Sequence, residues 1–292
     1  MAQVETRMQM IEARLPAAVR WRLDKRQVGL LGVGLAVLAL QVFFHCYRLG
    51  ETPGWDPQEG YNLDIAWNLA HGRLRLFALT SAFAQHPPLF YLQLLVAMRV
   101  LGYGIVAVRA VAAVYSVLTC GALLLVGRRL VGVGAALWGA LAFTVAPIIL
   151  ANTRWGYSYA QLAFVGMLCL WSGWRYRQTG GRGWLVFAGA LAGIAALSDY
   201  EGVAWIAFVA LVALQRRRRR DALLAAGIGV GVLGVGLLGC LVANPGVFFA
   251  DFGTTFTRAA GGNVMLQVIL LLLNYYRFVT LDAWVLLGIA GF

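Results

Sequence analysis

Charge is scarce in this chain. Only 12% of its 292 residues are charged, and just 12 of those are acids. Lysine is nearly absent: Lys25 is the only one, and the rest of the 24 basic residues are arginine. The three histidines (His45, His71 and His86) are scattered, which argues against a metal site built from them. Four cysteines (Cys46, Cys120, Cys169 and Cys240) lie in or beside apolar runs with no ligand spacing. They read as small core residues rather than metal or redox groups. Residues 1–27 are charged and lack the apolar centre of a signal peptide. They form a basic N-terminal segment that can lie on a membrane as an amphipathic helix.

Apolar residues, in contrast, make up 61% of the chain, and runs of near membrane-spanning length recur from Val28 onwards. Backbone groups in lipid must be satisfied within the segment, so the fold class is an all-α polytopic membrane protein. After the 1–27 segment, residues 28–292 form one lipid-embedded domain. The net charge of +12 would suggest nucleic acid in a soluble protein. Here it marks loops on the cytoplasmic side and contact with anionic lipid, and no nucleic-acid partner is expected.

Spans are expected at about 28–47, 105–127, 133–150, 158–174 and 221–243, with another within 264–290. Residues 87–101 are short for a span and are expected to lie in the interface. Residues 183–214 are interrupted by Ser198, Asp199, Tyr200 and Glu201 and read as a hairpin of two short arms. With the N-terminus in the cytoplasm, this arrangement places Arg128, Arg129, Arg175, Arg177, Arg182 and Arg216 to Arg220 inside. It gives about eight transmembrane helices, plus juxtamembrane helices in an outer loop, 48–104. Seven of the 12 acids then fall on the outer face: Glu51, Asp56, Glu59, Asp64, Asp199, Glu201 and Asp251. Each hairpin arm is only about 20–22 Å long, so its Asp-Tyr-Glu tip can dip below the surface if it lines a wet or protein-walled cavity.

Within the outer loop, WDPQEGY is followed by NLDIAWNLAHGR and then HPPLFYLQLL, and VRAVAAVYSVLTCGALLLVGRRL begins the next span. This order resembles the glycosyltransferases of the GT-C fold that use lipid-linked sugars, of the protein O-mannosyltransferase and aminoarabinose-transferase type. The resemblance runs from about Val28 to Leu214, and its most specific residues are His86, Pro87, Pro88, Leu89 and Tyr91. It implies transfer of a sugar from a polyprenyl-phosphate donor to a protein, lipid or glycan acceptor on the outer face, with inversion. It implies an integral protein of a bacterial plasma membrane and no direct use of a nucleotide sugar. Relatives continue with further spans, and often an outer domain, so this chain reads as a short form or a fragment.

In that family a loop aspartate is the general base. Here Glu59, Gly60 and Tyr61 match the end of the acidic motif, Gln58 stands in the aspartate's place, and Asp56 lies two residues earlier. Asp56 before Pro57 also fits the cap of a helix, a role that can coexist with catalysis. Asp56 and Glu59 are therefore the candidate catalytic pair. Tyr61, Asp64, Trp67 and Asn68 share helical spacing, either as a polar site face or as a solvated one. His86 is a candidate for substrate contact or for positioning the loop. Arg154 matches a family arginine and is a candidate for the donor phosphate, or else an interfacial anchor. Tyr157, Ser158 and Tyr159 stand where relatives carry Arg, Pro and Asp. The missing acid counts against a divalent metal, which stays open; no cofactor is otherwise expected. Asp199 and Glu201 are candidates because acids at membrane depth are functional by default, the alternative being a polar turn. Arg258, Tyr275, Tyr276 and Arg277 are weaker candidates for a lipid phosphate. Two rival classes remain: a catalytically silent or truncated relative that binds lipid or assists assembly, and a transporter. A transporter predicts two related halves with broken helices, and no internal repeat is evident.

Overall fold

The computed structural model describes residues 25–73, 88–216, 218–243, 245, 246, 248 and 249. Two units divide the chain, Met1–Ala36 and Val37–Phe292. The side-chain contacts described below all lie within the second.

All regular structure among the described residues is helical. The elements are α1 (Lys25–Cys46), α2 (Pro57–Ala70), α3 (Leu89–Leu101), α4 (Ile105–Leu130), α5 (Val133–Val145), α6 (Pro147–Arg154), α7 (Tyr159–Thr179), α8 (Arg182–Ser198), a 3-10 turn (Tyr200–Gly202), α9 (Val203–Gln215) and α10 (Arg219–Ala243). The segment Gln27–Cys46 of α1, together with α4 and α10, is long and apolar enough to cross a membrane. The protein is a helical membrane protein. The span expected at 264–290 lies outside the described residues, as does the amphipathic helix expected before residue 25.

The expected single span over 133–150 is corrected: it is a pair, α5 and α6, bent by 64° at Ala146. Pro147 causes the break, because it has no N–H for the α5 ladder and its ring disfavours helical geometry at the preceding residue. Ala146 is accordingly extended, and Pro147 sits at the favoured first position of α6.

α3 has 13 residues, about 20 Å at 1.5 Å each, short of a hydrocarbon core. Phe90, Tyr91, Leu94 and Met98 form its buried face and pack with Ile65 of α2 and Ala107 and Val108 of α4. Its opposite face exposes Leu92, Val96 and Val100. An apolar face left open on a short helix suits the membrane interface.

The 183–214 stretch forms a hairpin, as expected: α8 and α9 meet at the 199–202 tip. Gly202 sits there against the Ala195 carbonyl, where no side chain would fit. α7, α8, α9 and α10 share the largest core, with Val165, Cys169, Leu185, Leu191, Ile206 and Val209 among its members. A smaller cluster joins Val37 of α1 to Cys120 of α4 and Ala140 of α5. Cys120 and Cys169 are thus core residues, and the cysteines among the described residues are free.

Candidate active site

Asp56 begins the site. It is extended (φ −120°, ψ 136°), and its Oδ1 accepts the Gln58 backbone N–H at 2.8 Å, with Pro57 opening α2. This is the expected cap, satisfying one of the N–H groups that a helix start leaves unpaired. The cap leaves the carboxylate half-buried, beside the Tyr157 phenol. Burial, and then this carboxylate, push the Tyr157 phenol far above its ordinary range. Tyr157 is therefore neutral at any working pH.

Glu59, one turn further, is fully buried and bound on both oxygens. Arg109 Nε donates to Oε1 and Nη2 to Oε2, each at 2.7 Å. The Gly156 backbone N–H adds a third bond to Oε1 at 2.8 Å. Arg109 also donates to the carbonyls of Leu49 (3.0 Å) and Gly54 (3.1 Å). Asn62 of α2 closes the arrangement by donating Nδ2 to the Gly156 carbonyl at 2.9 Å. Gly156 is packed so tightly on Val108 that a Cβ would overlap the valine side chain. A bidentate Arg–carboxylate pair is strong only when its remaining donors and acceptors are also met, and here they are. The result is a clamp joining α2, α4 and the α6–α7 loop, with Asp56 and Tyr157 on its two sides.

That loop also reaches the hairpin tip. Ser158 Oγ donates to Asp199 Oδ2 at 2.7 Å, and the Glu201 backbone N–H donates to Asp199 Oδ1 at 3.2 Å. Asp199 is buried, whereas Glu201 is exposed. Both carboxylates act electrostatically on Tyr159. Trp155, Tyr157 and Tyr159 form a row, with 5.7 Å between successive ring centroids. Asp56, Tyr157, Asp199 and Glu201 thus belong to one end of the bundle, linked through residues 155–159.

Other candidates sit differently. Arg154 is buried, with Nη1 on the Phe44 carbonyl (2.5 Å) and Nη2 on the Tyr47 carbonyl, the Thr52 carbonyl and the Thr52 hydroxyl (2.7 Å each). It ties down the end of α1, whose last carbonyls have no helical partners. Beside it His45, also buried, bridges the Gln41 carbonyl (3.0 Å) and the Thr153 hydroxyl (2.9 Å). Tyr61 and Asp64 lie on the exposed side of α2, away from buried Glu59, Asn62 and Ile65. His86, Arg258, Tyr275, Tyr276 and Arg277 lie outside the described residues. Among the described residues no group of three or more His, Cys, Asp or Glu side chains could hold a metal ion.

Arg109 is the functional residue that sequence reasoning missed. Its signal was available: an arginine at the fifth position of a spanning helix whose other two arginines, Arg128 and Arg129, lie in its last turn. Such a charge faces the protein interior and has a partner.

An α-helical membrane bundle with juxtamembrane helices packed over its acid-rich end is the GT-C architecture of membrane glycosyltransferases. Residues 85–242 match the family described as Dolichyl-phosphate-mannose-protein mannosyltransferase, and the chain belongs to that family. Two solved structures share the fold. The crystal structure of ArnT from Cupriavidus metallidurans in the apo state aligns with a TM-score of 0.62 at 22% identity, over 78% of this chain and 44% of that one. The same protein bound to undecaprenyl phosphate aligns with a TM-score of 0.57 at 22% identity, over 75% and 42%. The chain therefore spans less than half the length of either. None of the curated proteins matches it.

Proposed function

We propose that this chain acts as an integral membrane glycosyltransferase with Asp56 as its base. It would move a sugar from a polyprenyl-phosphate donor to an acceptor on the outer face of a bacterial plasma membrane, with inversion and with the N-terminus cytoplasmic. The observation that carries the proposal is the half-buried Asp56 carboxylate, held by its helix cap beside the neutral Tyr157 phenol at the acid-rich end. The likeness to a structure described as bound to undecaprenyl phosphate supports the donor class.

In the reaction, Asp56 takes the proton of an acceptor hydroxyl as its oxygen attacks the anomeric carbon from the face opposite the phosphate. The bond from that carbon to the phosphate oxygen breaks, and the polyprenyl phosphate leaves with the electron pair. The helix cap, with Tyr157 beside it, fixes one side of the carboxylate, so its proton-accepting lone pairs are aimed before the acceptor arrives. Glu59 and Arg109 hold the base helix against the Tyr157 loop and do not touch substrate. Tyr61, Asp64, His86 and Glu201 remain candidates for sugar or acceptor contacts. Among the described residues, the two buried arginines at this end, Arg109 and Arg154, hold protein groups. Arg258 and Arg277 are therefore the candidates for neutralising the leaving phosphate.

The test is transfer from a panel of radiolabelled polyprenyl-phosphate hexoses and pentoses by the full chain in lipid nanodiscs. Label should appear on a protein, lipid or glycan acceptor with inverted configuration. No transfer from any donor would favour the second reading, a catalytically silent relative. The engagement of both Glu59 oxygens, and of both Arg154 terminal nitrogens, by protein partners is the observation on that reading's side.

A further inference from the structure

α7 runs from Tyr159 at the site to a second polar cluster at Tyr176, about 26 Å along the axis at 1.5 Å per residue. Buried Tyr176 donates its hydroxyl to Asp221 Oδ2 at 2.7 Å. Asp221, in the first turn of α10, is itself buried and is the only acid between residues 202 and 250. Three guanidinium groups converge on this pair. Arg182 Nε lies 3.4 Å from Oδ1, Arg218 Nη1 lies 3.6 Å from Oδ2, and Arg216 Cζ stands 5.7 Å from the centre of the Tyr176 ring.

The cluster is under-neutralised. Two guanidinium groups face one carboxylate and a third stands over the Tyr176 ring beside it, an excess of two positive charges in the cluster. The two ion-pair distances exceed the roughly 2.7–2.9 Å of a charge-assisted hydrogen bond. Arg182 and Arg218 also remain 71% and 55% exposed, so their outer N–H groups are available. A second feature points the same way. α8 starts at Arg182 with no side-chain cap and no acid in its first turn. The positive end of a 17-residue helix therefore opens beside the arginines. Guanidinium groups beside an uncapped helix start match a phosphate oxygen set in geometry and charge. The cluster joins the ends of α7, α8 and α10 in a membrane bundle, which places it at headgroup depth. There the abundant phosphate belongs to lipid.

We infer that Arg182, Arg216 and Arg218 form a binding site for the phosphate of an anionic phospholipid, preorganised by Tyr176 and Asp221 and separate from the Asp56 site. The test uses the full chain in phosphatidylcholine nanodiscs containing increasing phosphatidylglycerol, with thermal midpoint and lipid retention by native mass spectrometry as readouts. Arg182→Gln with Arg218→Gln is compared with Arg177→Gln with Arg219→Gln, which removes the same charge from exposed positions outside the cluster. Phosphatidylglycerol should raise the midpoint of the wild type and of the Arg177/Arg219 variant. The cluster variant should lose that rise and retain phosphatidylglycerol about thirty-fold less well. Equal losses in both variants would reduce the effect to general surface charge and overturn the site. Equal protection by inorganic phosphate at matched concentration would overturn the lipid assignment. Should the cluster variant fail to fold, the wild type alone decides: equal retention of phosphatidylglycerol and phosphatidylcholine contradicts the inference.

Discussion

The two ends of α7 are built around the same device and surrounded by opposite charge. At each end a buried aspartate accepts a hydroxyl from the helix or its cap: Asp199 from Ser158, and Asp221 from Tyr176. Each bond ties helix ends together without crossing the bundle. Around Asp199 stand further carboxylates and a row of tyrosines, and the buried arginines nearby are occupied by Glu59 and backbone carbonyls. Around Asp221 stand guanidinium groups only loosely paired. The difference shows that a buried carboxylate by itself does not distinguish the two ends. What distinguishes the ends is whether the cations are used up by the protein or left for a ligand.

The comparison breaks most severely at the clamp. Arg109→Leu leaves Glu59 buried without its cation and should cost about 3–5 kcal/mol of stability. Denaturant titration in detergent measures this, and transfer should vanish with it because Gly156 and Tyr157 lose their anchor. Next come the matched aspartates. Asp199→Ala and Asp221→Ala each strand a buried hydroxyl, at about 1–3 kcal/mol. They should separate in a second readout: Asp199→Ala lowers sugar transfer, and Asp221→Ala alters phosphatidylglycerol retention. If both variants change the same readout, the two ends are not functionally distinct.

The smallest effect belongs to Tyr157→Phe, at most about 1 kcal/mol, which removes a buried hydroxyl beside Asp56. Its signature is in pH. The folded-state phenol is held far above its unfolded value near 10. Below about pH 10 the phenol is protonated in both states, and its contribution is fully present. Above that, the unfolded chain ionises first and stability is lost as pH rises. Melting curves of wild type and Tyr157→Phe should therefore differ in alkaline slope, with the variant flatter.

Much of this was legible in the sequence because it is local. Asp56 before Pro57 has few alternatives to a helix cap, and a 13-residue apolar helix after Pro-Pro is too short to span. The hairpin tip at 199–202 follows from four polar residues interrupting an apolar run. The break at Pro147 was equally local and was overlooked, because hydropathy continues smoothly through it. What could not be read was pairing. Glu59 and Arg109 are 50 residues apart, and Asn62 and Gly156 are 94 apart. Arg154 reads as available for a phosphate because the sequence gives no sign that the end of α1 and the loop after it present three carbonyls and a hydroxyl to it. Asp56, which lies beside Tyr157, and Val108, packed against Gly156 in the same loop, both come from other parts of the chain.

The most direct test of the central claim, that Asp56 is the base while Glu59 is only part of the clamp, is the split between turnover and stability in Asp56→Asn. Asparagine caps a helix about as well as aspartate, so stability should change by about 0.5 kcal/mol or less. It cannot accept the acceptor's proton, so transfer by the full chain should fall by about 10²- to 10⁴-fold. Full transfer by a folded Asp56→Asn protein, or a loss of activity that merely follows a collapse in melting temperature, would contradict the assignment.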